Sequence, residues 1–110
     1  EIASVGLSEE QAREKEGKIN IHKFDFLGSG MARIINETDG FIKVISCAKT
    51  DCLLGASIIG TRATELIGIL TLAVSTCLKL RQLRETVFAH PTLSESLSEA
   101  AKSNYEIIGL

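Results

Sequence analysis

No charged residue occurs between Leu66 and Leu78, and that run narrows what the chain can fold into. Leu66, Ile67, Ile69, Leu70, Leu72, Ala73, Val74 and Leu78 cover more than one face when wound at 3.6 residues per turn. A membrane span needs roughly 20 mostly apolar residues, and this run is shorter and interrupted by Gly68, Thr71, Ser75 and Thr76. The expectation is a helix from Arg62 to Leu80 buried on two sides, against its own sheet and against another subunit.

The segments around it read as strands and shorter helices. Ser8-Glu9-Glu10-Gln11 has the form of a capping box opening a short polar helix that stops at Gly17, and Ile2 to Val5 before it suits a brief strand. From Lys18 apolar residues alternate, with Ile19 and Ile21 on one face. Phe24 and Phe26 return to that face if the strand slips at His22-Lys23, as a β-bulge would allow. Gly28-Ser29-Gly30 breaks the strand, and Asn36 to Gly40 reads as a turn. Phe41 to Cys47 and Leu53 to Gly60 are two strands joined by the hairpin connection Ala48 to Asp51. A last helix is expected from Leu93 to Asn104. The 110 residues thus predict one α+β domain, an antiparallel meander covered by two main helices.

A net charge of −2 and a pI near 5.7 argue against a nucleic-acid or anionic-membrane surface. The sequence opens Glu1-Ile2-Ala3 without a basic-then-apolar leader, so it reads as a piece of a longer, non-secreted polypeptide. Three cysteines, Cys47, Cys52 and Cys77, suit reduced thiols in a cytoplasmic compartment, or the mitochondrial matrix if the source is eukaryotic. Cys47 and Cys52 are expected as hairpin neighbours without the low-pKa surroundings of a redox pair, and Cys77 as a small core residue. His22 is expected to face solvent. Two histidines cannot build a metal cluster, so no metal is expected. Gly28-Ser29-Gly30 begins like a dinucleotide fingerprint, but Arg33 stands where the third glycine belongs, so a plain loop is expected.

Phe88-Ala-His-Pro-Thr-Leu-Ser-Glu95 supports two readings. Thr92 and Glu95 form a Thr-x-x-Glu capping box that requires nothing of His90. A carboxylate within reach of one ring nitrogen would instead fix the tautomer of His90 and free the other nitrogen for proton transfer. Spacing alone leaves both readings open.

Ala89 to Glu95, followed by Ser-Leu-Ser-Glu-Ala-Ala, resembles the C-terminal signature of the pyridine nucleotide-disulphide oxidoreductase family, in its dihydrolipoamide dehydrogenase branch. Ala3 to Ala12, Thr38 to Lys43 and Leu54 to Gly60 resemble the opening segment and two central strands of that family's interface domain. Leu93 and Ser94 favour the lipoamide branch, because glutathione reductases usually read His-Pro-Thr-Ser-Ser-Glu there. Phe88 departs from the pattern, standing where many relatives carry a second histidine.

The resemblance implies a homodimer whose FAD and NAD domains precede this one in the polypeptide, with no cofactor bound to the fragment itself. It implies that His90 is the acid/base residue and Glu95 its orienting carboxylate. His90 and Pro91 would contact the partner subunit's flavin, and the His-Pro peptide would be cis. It also implies docking of the acyltransferase component's subunit-binding domain on the two-fold surface. The alternatives are the interface domain of a sister reductase, glutathione reductase-like or a transhydrogenase, and a docking module without catalytic role.

Overall fold

The computed structural model describes residues 1–103 in full and the backbone of 105–108. Five antiparallel strands form one sheet in the order β1-β4-β3-β2-β5: β1 (Ile2–Gly6), β2 (Ile19–Asp25), β3 (Gly40–Cys47), β4 (Leu53–Gly60) and β5 (Tyr105–Ile108). The helices are α1 (Glu9–Glu16), α2 (Gly30–Ile34), α3 (Ala63–Ser75), α4 (Leu80–Glu85) and α5 (Glu95–Lys102). The α+β class and the meander are as the sequence predicts. Two main helices, α3 and α5, pack on one sheet face, while α1 covers part of the other.

The capping box at Ser8 is complete: Gln11 N–H donates to Ser8 Oγ (3.2 Å) and Ser8 N–H to Gln11 Oε1 (3.0 Å). α1 ends at Gly17, whose φ of 81° favours glycine. Beneath it Ala12, Ile19, Ile21 and Ile45 form a small cluster. The bulge expected at His22-Lys23 is absent. Pairing of β2 with β3 runs unbroken from Ile19↔Cys47 to Asp25↔Phe41, so Phe24 lies over Ile42 on the face opposite Ile21 and Ile45. Both faces of this sheet are covered, so apolar residues on both sides of β2 need no slip to reach a core. The register shift falls between Ile45 and Ser46, in the pairing with β4.

His22 is likewise buried, 3% exposed, with Nδ1 3.3 Å from Ser103 O. Its strand is internal because β5 pairs along its outer edge, and α5 lies across its face. The solvent-facing expectation fails because β5 pairs along one side of β2 and α5 lies across His22, neither of which its polar sequence neighbours signal.

The long helix stops earlier than its composition suggests. α3 ends at Ser75, where Leu78 N–H donates to Ala73 O (2.8 Å) and Cys77 N–H to Val74 O (3.2 Å). This is the bond pair of a Schellman motif, with Cys77 at φ 54° in the left-handed position that glycine usually takes. At the other end Glu1 Oε1 accepts from Thr64 N–H (3.1 Å) and Thr64 Oγ1 (2.8 Å), supplying the cap that Arg62 lacks. α4 then begins where Leu80 N–H donates to Asp51 O (2.8 Å) and Arg81 N–H to Asp51 Oδ2 (3.1 Å).

Cys77 is exposed and joined to Cys52 by a disulfide with a Cα–Cα distance of 5.2 Å, so it is neither a core residue nor a reduced thiol. Cys47 remains a free, buried thiol. Its backbone N–H donates to Cys52 O (2.9 Å), so the two are hairpin neighbours as expected, but the pairing partner of Cys52 is Cys77.

Ala63, Leu66, Leu70 and Ala73 form the buried stripe of α3, packed on Ala56 and Ile58 of β4 with Ala3 and Val5 of β1 against the same core. In the single chain the other face is open, with Ile69 37% and Leu72 66% exposed beside Gly68. Among the described residues no helix is long and apolar enough to cross a membrane. The last helix starts at Glu95 by its hydrogen bonding, and Asn104, its expected end, lies outside the described residues.

Candidate active site at the His-Pro loop

Between α4 and α5 the chain runs without regular structure, held by two apolar anchors. Phe88 packs against the main core and Leu93 is buried within it, so the residues between are lifted to the surface. Phe88 therefore works as an anchor. The His90-Pro91 peptide is cis.

The Thr-x-x-Glu exchange is present. Glu95 N–H donates to Thr92 Oγ1 (3.3 Å), and Thr92 N–H donates to Glu95 Oε2 (2.8 Å). The Thr92 hydroxyl donates in turn to Ala89 O (2.6 Å), fixing the loop ahead of the histidine. Leu97, fully buried, and Ala100 and Ala101 hold α5 on the sheet, giving Glu95 a rigid base.

The same carboxylate serves His90. Nδ1 lies 2.8 Å from Glu95 Oε1 and 2.9 Å from Oε2. An ionised carboxylate only accepts, so this contact assigns the proton to Nδ1 and leaves Nε2 as the acceptor of the neutral ring. The imidazole is 77% exposed and Glu95 29%. The hydrogen bond from His90, followed by that from Thr92 N–H, holds the Glu95 carboxyl below its ordinary 4.5. At such exposure the pair contributes little to stability, and its consequence is orientation: Nδ1 is held by Glu95, and among the described residues no hydrogen bond engages Nε2 of the exposed ring. The helix-cap and acid/base readings thus use one carboxylate at once.

Two clefts flank the loop. One of about 200 Å³ is lined by Phe24, Gly28, Ser29, His90, Glu95 and Glu99. The other, about 440 Å³, is lined by Met31, Ile35, Leu66, Ile69, Pro91 and Leu93, together with the charged Arg62 and Glu65. The Gly28-Ser29-Gly30 segment is thereby brought beside His90, which its sequence does not signal. Ser29 Oγ accepts from Ala32 N–H (3.2 Å), capping α2, so the segment is a helix start and not only a loop. At five residues α2 is too short for the phosphate-binding unit that the fingerprint requires.

His22 and the three cysteines stand apart from this site. The cleft at Pro91 is lined by α3 residues as far as Ile69, whereas Cys77 follows the last turn of that helix, and neither cleft is lined by His22 or a cysteine. Among the described residues no group of three His, Cys, Asp or Glu side chains is arranged to hold a metal ion.

Residues 1–101 match the family model for the dimerisation domain of pyridine nucleotide-disulphide oxidoreductases. A dihydrolipoyl dehydrogenase of Thermus scotoductus is 44% identical over 103 residues, 94% of this chain and 22% of that protein. The dihydrolipoyl dehydrogenase of Staphylococcus aureus is 39% identical over 102 residues, 93% of this chain and 22% of that protein. Among solved structures, the HOCl-induced flavoprotein disulfide reductase RclA from Escherichia coli superposes with a TM-score of 0.86 at 35% identity, covering 92% of this chain and 23% of that one. The chain spans about a fifth of the length of these relatives.

Proposed function

We propose, for a chain that belongs to the pyridine nucleotide-disulphide oxidoreductase family as its dimerisation domain, that it serves an NAD-dependent dihydrolipoamide dehydrogenase. In this reading it contributes the acid/base pair His90 and Glu95 to the partner subunit's site. The observation that carries the proposal is the His90–Glu95 contact at 2.8 and 2.9 Å, with Nε2 engaged by no hydrogen bond among the described residues.

A dithiol substrate is mostly protonated at neutral pH, and only its thiolate attacks a disulfide well. His90 Nε2 takes the thiol proton. The ring then carries a proton on each nitrogen, and Glu95 stabilises that charge while Thr92 N–H holds the carboxylate in place. The open face of α3 (Gly68, Ile69, Leu72) meets the second copy of the chain, carrying the exposed loop toward the partner.

The smaller cleft, about 200 Å³, lies below the roughly 300 to 1,000 Å³ of ligand sites, and the glycine segment beside it lacks the dinucleotide fingerprint. FAD and NAD, which supply two-electron transfer when bound, belong in this reading to other parts of the polypeptide, with the His90-Pro91 step the contact offered to the partner's flavin. A cytoplasmic or matrix location and docking of an acyltransferase subunit-binding domain go with the same reading.

The 35% identity to an HOCl-induced flavoprotein disulfide reductase favours one rival, a sister enzyme acting on a different disulfide. Assay of the intact polypeptide separates them. The proposal expects dihydrolipoamide oxidation with NAD to exceed the reduction of glutathione disulfide or other small disulfides. Inactivity on dihydrolipoamide with turnover of another disulfide would establish the rival.

A further inference from the structure

The Cys52–Cys77 disulfide spans a seam that hydrogen bonds already close. The start of β4 and the connection from α3 to α4 are already joined by Leu53 N–H to Leu78 O (2.9 Å), Leu80 N–H to Asp51 O (2.8 Å) and Arg81 N–H to Asp51 Oδ2 (3.1 Å). Cys52 also pairs with Lys79 as an isolated antiparallel bridge, and the Schellman bonds of Cys77 and Leu78 fix the helix end independently. None of these bonds runs through a cysteine sulfur. Small domains that need disulfides use them to offset a deficient core, whereas Cys52 and Cys77 bridge a seam beside a core that runs through the sheet, α3 and α5.

Exposure differs among the three cysteines. Cys77 is exposed and Cys52 half-buried, while Cys47 is 2% exposed with its thiol directed to Glu16 Oε2 (4.0 Å). An incoming thiolate can therefore reach Cys77 Sγ, and the third thiol is kept from competing. Disulfides at accessible positions are the labile and regulatory ones.

We propose that Cys52 and Cys77 form a reversible thiol–disulfide exchange site for a small dithiol. One thiolate of the dithiol attacks Cys77 Sγ, forming a mixed disulfide, and the Sγ–Sγ bond breaks with its electron pair leaving on Cys52 as thiolate. The second thiol then attacks the mixed disulfide from the dithiol side, closing the reagent's own disulfide and releasing Cys77 as thiolate. Two electrons pass from the dithiol to the cysteines, and its two protons end on Cys52 and Cys77. The backbone bonds keep the two thiols adjacent, so reclosure is intramolecular and retains a high effective concentration.

The test uses the intact polypeptide purified without reductant, exposed under native conditions to graded dithiothreitol, quenched with iodoacetamide and mapped by peptide mass spectrometry. Cys52 and Cys77 should gain alkyl groups mole for mole, at a rate proportional to dithiothreitol, with Cys47 unlabelled. Transfer to oxidised glutathione should restore the Cys52–Cys77 link. Amide exchange at Leu53 and Leu80 in the C52S/C77S variant should stay protected. The proposal is overturned if both cysteines alkylate before reductant is added, or if they open only under denaturant that also exposes Cys47. It is equally overturned if reoxidation joins Cys47 to Cys52, or if the Leu53 and Leu80 amides lose protection in the variant.

Discussion

Gly55→Ala and Gly68→Ala are the same chemical change, and the structure gives them opposite signs. A Cβ at Gly55 would sit 2.0 Å from Leu7 O, with Leu7 N at 2.9 Å, more than an ångström inside the roughly 3.3 Å at which carbon meets a carbonyl oxygen. Leu7 cannot retreat cheaply, because its N–H donates to Leu54 O (3.0 Å) and its side chain packs on the Ala12–Ile19 cluster. Gly55 also pairs directly with Gly6, so relief requires peeling the end of β1 from β4. We expect a loss of about 2 to 3 kcal/mol, the upper part of the range for an inserted methyl in a packed interior. At Gly68 no atom lies within 4 Å of the added Cβ, and alanine gains about 0.8 to 1.0 kcal/mol over glycine in a helix. Urea unfolding of the 110-residue chain, at a concentration low enough to keep it monomeric, reads both. With a slope of about 1.5 kcal/mol per M, the Gly55→Ala midpoint should fall by roughly 1.5 M and that of Gly68→Ala should rise. A neutral Gly55→Ala, or equal losses at both positions, would refute the close approach of Leu7 and the openness of the second face of α3.

Burial holds the His22 imidazole below its ordinary 6.5 against the opposing pull of Ser103 O. The unfolded chain therefore takes up the proton first, so stability is complete above pH 6.5 and declines as pH falls through the lower folded value. Urea midpoints across that window should lose their slope in His22→Gln. Glu95, lowered from 4.5 by His90 and Thr92, contributes only in a separate window, with its stabilisation present above 4.5 and lost as pH falls through the folded value. Thr92→Val keeps volume but removes the hydroxyl bonds to Glu95 N–H and Ala89 O. It should cost about 1 to 2 kcal/mol, read as a fall in Tm of about 4 to 8 °C per kcal/mol for a domain of this size.

What the sequence revealed was whatever its local chemistry specifies. Ser8 with Gln11, Gly17, the hairpin from Phe41 to Gly60 and the Thr92–Glu95 box each carry their signal within a few residues, and each is realised. The family motifs added the cis His90-Pro91 peptide. The failures arise where a distant residue decides. α4 begins on Asp51, 30 residues away, and no local pattern announces it. α3 ends at a left-handed cysteine in place of glycine, and its bond to Cys52 has no local signature. His22 is buried by β5, which pairs from the far end of the chain. The proximity of Gly28–Gly30 to His90 likewise depends on how α5 packs across β2, the strand that this segment follows, and so only the structure displays it.

The central claim is that His90, oriented by Glu95, removes the thiol proton of the substrate. It is tested most directly by the single-turnover rate at which dihydrolipoamide reduces the intact enzyme, in wild type, His90→Gln and Glu95→Gln. The account predicts that His90→Gln slows this step by about 2 to 4 decades, the range for a lost general base, and removes the pH dependence that such a base gives the step. Glu95→Gln should slow the step less and displace that pH dependence. Equal rates and the same pH profile in wild type and His90→Gln would contradict the account, leaving the Thr92–Glu95 exchange as a helix cap alone.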